Sequence, residues 1–500
     1  MSVEINIAGI QIPQSDWDAT PGSVKAVVTV LSERLAYIEE QLKQNSQNSS
    51  RPPSSDGFGH QDLSNPQTLK KKKKKKKSSS DPSSLKTPKL YPLEACSEVH
   101  SHVPDICQHC GEQLSGLDEQ PLRHQIVDIP PLSAYVIEHQ LHQLECSCCG
   151  RKNRAALPAE VPSTGYGDRL AAVVAWLSVE HRQSHRMVKS LLATLFSVEL
   201  SRGSINRIRH QVSEAVASPV EQAQQYVQGQ AFVHSDETSF SQGNGDGLNS
   251  RHTKGWLWVL VTPLVIVFSV VLSRSQATAK ALLGEDFKGI LISDRYSAYN
   301  WLEVMHRQVC WAHLKRDLTA MAERSGVSKQ IGEALLRRER RLFRWWHRVR
   351  DGTMSREQFV MAVEPLRIGL KTELEAAAAI PIANREKSPL AKTVRTAREL
   401  LKLEAALWTF VYVPGVEPTN NAAERALRTA VIWRRTSFGS QSQAGSEFVS
   451  RILTVVTSLK AQQKNPLDYL TQAIRAQRLG LSAPSLLPQT LINTQIPMVA

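Results

Sequence analysis

The stretch WLWVLVTPLVIVFSVVL, Trp256 to Leu272, constrains the fold of this chain more than any other. A membrane-spanning helix wants about 20 consecutive apolar residues. This run is shorter, and Pro263 falls in its middle, where it would remove a helical hydrogen bond. Val and Ile dominate on both sides of the proline. The pattern predicts two buried β-strands joined near Thr262-Pro263. The first twenty residues carry no basic segment followed by an apolar one. These features predict a soluble, intracellular chain with no membrane partner.

The segments around this pair form a series. QAFVHSDETSF is a strand carrying Asp236, and WLWVLV and VIVFSVVL are the next two strands. SQATAKALLG is a short helix, KGILISD a strand ending at Asp294, and SAYNWLEVM is expected to be helical. HRQVC is a fifth strand, and WAHLKRDLTAMAERS begins a helix. The order β-β-β-α-β-α-β-α is the plan of an RNase H-like α/β fold. In that topology strands one and four are neighbours, so Asp236 and Asp294 come side by side. Either Asp alone is weak evidence, but together on those strands they suggest a divalent-metal site. Residues from about 318 to 412 are helical and basic and are expected to be an insertion. EPTNNAAERALR then returns the chain. Asn421 and Glu424 have capping-box spacing. The closing helix of such a sheet faces the two Asp residues, so Glu424 is instead expected to be a third carboxylate, with Thr419, Asn420 or Asn421 as the cap. Glu237, His234 and His313 are neighbours for which structural hydrogen bonds are expected. Arg425 and Arg428 share the Glu424 helix and suit phosphate.

Five hundred residues are too many for one core and suggest about three domains. The net charge of +14 points to a polyanionic partner, nucleic acid before membrane. Lys70 to Lys77 supply eight of those charges and belong to a Pro- and Ser-rich segment expected to be a disordered linker. Ahead of it, Val24, Val28, Leu31, Leu35, Ile38 and Leu42 make an a/d seam, either of a coiled coil or of one amphipathic helix packed on its own chain. CQHCG and CSCCG are paired C-x-x-C-G knuckles, and Cys107, Cys110, Cys146 and Cys149 suit one structural, tetrahedral Zn²⁺ in a zinc ribbon. Cys148 is a further sulfur able to replace either neighbour, and His139 and His142 lie nearby. RHQIVDIP and AYVIEHQLHQLEC, between the knuckles, are expected to be strands. DRLAAVVAWLSVE and HRMVKSLLATLF are helices, followed by another opening at Ser201 or Ser204, a helix-turn-helix-like arrangement. Arg202, Asn206, Arg207, Arg209 and His210 give its last helix DNA-compatible chemistry; an ordinary helical hairpin with a basic face remains the alternative.

HSDETSF, ISDRYSAYN, CWAHLKRDL, PTNNAAERALR and SLKAQQKNPLDYL are similar, in order, to the motifs of the large transposase of the insertion sequence 66 family, a DDE transposase. The resemblance covers residues 24 to about 475. Arg295 follows Asp294 where that family commonly has Gly, and Thr419 stands where Asp usually precedes the two Asn. The resemblance implies that Asp236, Asp294 and Glu424 are the acidic triad. It implies two Mg²⁺ or Mn²⁺ ions, cleavage of transposon ends and strand transfer into target DNA. Expected partners are double-stranded DNA (terminal inverted repeats and target), further copies of the chain, and accessory transposition proteins. The expected location is the cytoplasm, on bacterial DNA. The alternatives are a catalytically inactive DNA-binding regulator and a plain RNase H-like nuclease. The expected divisions are a heptad helix at 1–44, a basic linker at 45–95 and a zinc-binding domain at 96–154. A helix-turn-helix-like region at 160–220, the catalytic domain at 228–445 and a helical region at 446–485 follow.

Overall fold

The computed structural model describes residues 4–7, 10–42, 44, 45, 48, 49, 90–116, 118–158 and 160–488. The lysine tract and most of the expected linker lie outside the described residues. Two compact units partition the chain: Gly57–Ser133, and Met1–Asp56 together with Ala134–Ala500. In the larger unit, β1 (Glu4–Ile7) and β2 (Ile10–Pro13) pair antiparallel and lead into α1 (Gln14–Ala19) and α2 (Gly22–Leu42). α2 contains the heptad seam, and Val24, Leu31, Leu35, Ile38 and Leu42 are exposed on it.

The centre of this unit is a five-stranded sheet. Its strands are β5 (Phe232–Phe240), β6 (Gly255–Val261), β7 (Ile266–Val271), β8 (Ile290–Ser293) and β9 (Arg307–Val309), ordered β7-β6-β5-β8-β9. β6 pairs antiparallel with β5 and β7, while β8 joins β5, and β9 joins β8, in parallel. The apolar run is thus β6 and β7, and Pro263 sits in the turn that Thr262 closes onto Val265. The first and fourth strands of the sheet are neighbours, as the segment order predicts. Among the described residues no helix is long and apolar enough to cross a membrane.

Helices cover both faces. α3 (Asp168–Val179), α4 (His185–Phe196), α5 (Arg202–Ala215) and α6 (Ala217–Gln228) precede the sheet, and α7 (Gln276–Leu283) links β7 to β8. Then follow α8 (Trp311–Ala322), α9 (Gly326–Arg350), α10 (Arg356–Ala379), α11 (Pro389–Lys402) and the short α12 (Thr409–Tyr412). α13 (Asn421–Ser437), α14 (Gln443–Ala461) and α15 (Pro466–Arg478) end the fold. Side chains alternate across a strand. Val233 and Leu291 therefore enter one apolar cluster with α3–α6, α14 and α15. Phe232, Ile290 and Ile292 enter a second with α8–α12. Gly332 lets α9 press on α8, since a Cβ there would run into the backbone of Met321 and Ala322.

The edge strand β7 is capped by hydroxyls. The N–H groups of Ile266, Phe268 and Val270 donate to Ser458 Oγ, Thr454 Oγ1 and Ser450 Oγ of α14 at 2.9, 2.9 and 3.0 Å. Every second residue of a strand advances about 6.8 Å and every fourth of a helix about 6 Å, so the two rows stay in step. The edge that would otherwise offer free backbone donors is closed.

Three expectations fail. SAYNWLEVM is not a helix: it makes only single 3₁₀ turns at Ser297–Tyr299 and Val304–His306. Ala298, Tyr299 and Leu302 are buried at positions dictated by the neighbouring sheet and α7, which overrides helical periodicity. RHQIVDIP and AYVIEHQLHQLEC form no strands apart from the last residues of the second, in β3 (Gln143–Glu145), which pairs with β4 (Lys152–Arg154). Ile126, Val127, Tyr135 and Val136 are almost fully exposed, and an extended segment without a partner strand has no ladder. The cap is the third. α13 begins at Asn421 with Asn420, one of the three expected caps, in the cap position, but its side chain makes no capping bond; Glu424 is the fourth helical residue and out of capping-box register.

Candidate metal centre and nucleic-acid interface

Asp236 lies on β5, and Asp294 directly follows β8. The parallel register pairs His234 with Ile292. Two residues further along each strand, Asp236 and Asp294 stand beside one another on the same face. Asp236 Oδ1 accepts the N–H of Glu237 at 2.9 Å, and Asp294 Oδ1 accepts that of Tyr296 at 2.9 Å. Burial pushes the Asp236 carboxyl well above the usual carboxylate range, and the charges of Glu237, Asp294 and Glu424 push it the same way. α13 crosses this face of β5 and β6, with Trp433 stacked on Phe240 at 5.6 Å. It carries Glu424, which is raised first by burial and also by Asp294, against the pull of Arg316.

Asn420 ties α13 to the sheet. It is fully buried, and its side chain makes no cap. Its Nδ2 donates to the Ser235 carbonyl at 2.7 Å, and its Oδ1 accepts from His234 Nδ1 at 3.2 Å. The amide orientation makes Nδ1 the protonated nitrogen of His234, whose pKa burial pulls down to about 4. The Asn420 N–H reaches Cys310 Sγ at 3.1 Å, and the Trp311 N–H reaches the Pro418 carbonyl at 2.9 Å. These bonds seat the start of α13 on the start of α8. Glu424 Oε1 then lies 3.7 Å from His313 Nδ1 and 3.8 Å from Arg316 Nη2.

Asp236 feels the charges of Asp294 and Glu424, and Glu424 that of Asp294, but the three carboxylates are not all gathered to ligating distance. Among the described residues, only Cys310, His313 and Glu424 bring three ligand atoms within 4.8 Å of one another. Sequence reasoning missed Asn420's clamp and this trio. The signal available was CWAH, a thiol and an imidazole three residues apart immediately after the last strand.

Glu237 points away from this face. Arg274 holds it at 2.6 Å and the Tyr299 hydroxyl donates to it at 2.7 Å. Arg274 itself stacks on Tyr296 and Trp256. Arg295 is engaged by Asp317 at 2.5 Å.

The candidate DNA contacts divide. Ser201 caps α5 by accepting the Ser204 N–H. Arg202, Asn206, Arg207 and His210 lie on its exposed arc. Arg209 turns inward, with its guanidinium 4.2 Å from the Phe448 ring centre and hydrogen-bonded to His185. Burial pulls Arg209 down to about 10 and His185 to about 4. Arg425 and Arg428 are exposed, one turn apart on α13. On α9, Arg337, Arg341, Arg344 and Arg348 are exposed at spacings of four, three and four, a basic stripe about 16 Å long.

Each cysteine knuckle is a tight turn. In one unit the Cys107 N–H donates to the Glu112 carbonyl at 2.8 Å, Gly111 turns with φ +78°, and the N–H groups of Cys110 and His109 hold the Cys107 thiol below its usual pKa. In the other the Cys146 N–H donates to Arg151 at 2.9 Å, Gly150 has φ +71°, and the N–H groups of Cys149 and Cys148 act on Cys146 likewise. Cys148 thus occupies the place of His109.

Residues 164–448 match the model of the transposase IS66 family, residues 104–150 that of the zinc-finger binding domain of transposase IS66, and residues 3–87 that of a family of unknown function. The chain is similar to two proteins of Sinorhizobium fredii (strain NBRC 101917 / NGR234). It is 27% identical to uncharacterized protein y4qI over 269 residues, 48% of this chain and 47% of that protein. It is 24% identical to uncharacterized protein y4hP over 414 residues, 74% of this chain and 70% of that protein. The chain thus spans about half the length of the first of these relatives.

Proposed function

The chain belongs to the transposase IS66 family and carries that family's zinc-finger domain, and from that premise we propose that it is a DNA transposase that cuts transposon ends and joins them to target DNA. Asp236, Asp294 and Glu424 are the proposed catalytic carboxylates. The observation that carries the proposal is their convergence from β5, the end of β8 and α13 onto one face of the sheet. The strand order β7-β6-β5-β8-β9, with β5 flanked by β6 and β8, supports an RNase H-like core. Residues from about 318, within α8, to 412, the end of α12, are the proposed insertion.

The donor set fits hard divalent cations. Burial first, and then the charges of Glu237, Asp294 and Glu424, raise Asp236, and a cation among the carboxylates offsets that penalty. Bound there, Mg²⁺ or Mn²⁺ would activate the attacking oxygen, steady the leaving oxygen and screen the phosphate. The chain's own contribution is position. The parallel β5–β8 pair fixes the two aspartates, and Asn420 fixes the helix bearing Glu424. Arg316 keeps a positive charge beside Glu424. Arg425, Arg428, the exposed arc of α5 and the α9 stripe offer charge to the DNA backbone. Cys107, Cys110, Cys146 and Cys149 are the proposed ligands of one structural Zn²⁺.

The experiment is cleavage of a labelled transposon-end duplex in Mg²⁺ or Mn²⁺, beside a binding assay in Ca²⁺. Asp236→Asn, Asp294→Asn and Glu424→Gln are each expected to abolish cleavage while binding persists, and combined substitutions to add little. Near-normal cleavage by folded Glu424→Gln would remove Glu424 from the triad.

A further inference from the structure

Cys310 opens α8, His313 lies in its first turn, and Glu424 reaches them from α13. The Cys Sγ, a ring nitrogen and a carboxylate oxygen all lie within 4.8 Å of one another. His313 Nδ1 is buried with no hydrogen-bond partner among the described residues, 3.7 Å from Glu424 Oε1. A buried acceptor left unpaired is costly. Nitrogen and oxygen ligands on one tetrahedral Zn²⁺, at bond lengths of about 2.0–2.2 Å, stand about 3.4 Å apart. The His–Glu spacing already approaches that value. Glu424, Arg316, Arg295 and Asp294 are the charged groups facing His313. The Asn420 N–H, 3.1 Å from Cys310 Sγ, would support a thiolate there, while burial and then the Glu424 charge push the thiol up to about 11.

We propose that Cys310, His313 and Glu424 form a binding site for a borderline divalent ion of the zinc class, distinct from the all-carboxylate site and sharing Glu424 with it. Thiolate and imidazole select zinc over magnesium. Binding replaces the Cys310 S–H bond by a metal–sulfur bond and releases one proton to solvent. Three protein ligands leave one coordination position open. A carboxylate engaged here is withdrawn from the catalytic trio, so zinc at this site restrains cleavage. That consequence rests on the proposed role of Glu424; the binding itself does not.

The test is zinc stoichiometry of the full-length protein by equilibrium dialysis and metal analysis, for wild type, Cys310→Ser and His313→Gln, with thermal melts of each. Wild type is expected to hold one ion more per chain than either variant. If Cys310→Ser melts early, His313→Gln carries the comparison, because its side chain is partly exposed. Equal stoichiometry in wild type and the folded variants overturns the site. Zinc is then titrated into the Mg²⁺-supported cleavage assay, each protein normalised to its own rate without added zinc. Half-inhibition is expected to need at least about ten-fold more zinc in the variants. A difference in stoichiometry without that shift keeps the site and refutes the sharing of Glu424.

Discussion

Asn420→Ala probes how the third carboxylate is held. The substitution deletes the donor to the Ser235 carbonyl at 2.7 Å and the acceptor for His234 Nδ1 at 3.2 Å. Asn420 is fully buried, and Ser235 and His234 are nearly so, so solvent does not readily replace either bond. Each orphaned partner costs about 1–3 kcal/mol, hence about 2–6 kcal/mol for the pair. At about 1.4 kcal/mol per factor of ten, even the low end is more than ten-fold in local opening. The backbone bond from Asn420 to Cys310 survives, so the loss falls on the link between β5 and α13. Asn421→Ala is the control. Were Asn421 the cap of a capping box, its loss would cost about 1 kcal/mol. The structure puts it inside the helix and exposed, so nearly nothing is expected. The assay is hydrogen exchange of peptides spanning the first turn of α13, with cleavage of a transposon-end duplex alongside. Asn420→Ala is expected to speed exchange by at least about ten-fold and to lower cleavage, while Asn421→Ala does neither. Equal effects, or an Asn420→Ala exchange rate within two-fold of wild type, would refute the clamp.

Three further outcomes are expected. The folded pKa of Asp236 is raised, so ionising it costs stability above the unfolded carboxyl value of about 4 and costs nothing below it. Asp236→Asn should therefore raise the melting temperature of metal-free protein at neutral pH, with the gain vanishing below about pH 4; a gain independent of pH would contradict the electrostatic origin. Replacing Arg337, Arg341, Arg344 and Arg348 with alanine should flatten the salt dependence of duplex binding by about 3–4 in log–log slope if each meets a phosphate, and a change below about 1 would exclude the stripe from the interface. Thr454→Val leaves the buried Phe268 N–H unpaired and should cost about 1–3 kcal/mol, more than Thr454→Ser, which keeps the hydroxyl and loses a methyl worth about 1 kcal/mol; the reverse order in thermal denaturation would refute the hydroxyl ladder.

Features written in local periodicity were legible from the residues alone. Pro263 and the Val- and Ile-rich flanks fix β6 and β7, and the sequence of strand and helix patterns is sufficient to predict that the strands bearing Asp236 and Asp294 are neighbours. The knuckles are equally local, because a C-x-x-C-G turn depends on one glycine conformation. The family motifs carried Glu424. Whatever depends on contacts distant in the chain was decided only by tertiary structure. SAYNWLEVM has helical spacing but is shaped by the sheet and α7 beneath it. The segments between the knuckles have strand composition without a partner strand. Arg209 looks like its exposed neighbours on α5 until Phe448 and His185, remote in sequence, enclose it. Asn420 and Asn421 are chemically identical neighbours. Only the approach of β5 assigns one of them the buried bonds to Ser235 and His234, and leaves the other in solvent. A hydrogen-bonding side chain takes its role from the partners that folding brings to it, and those partners lie beyond the reach of any local pattern.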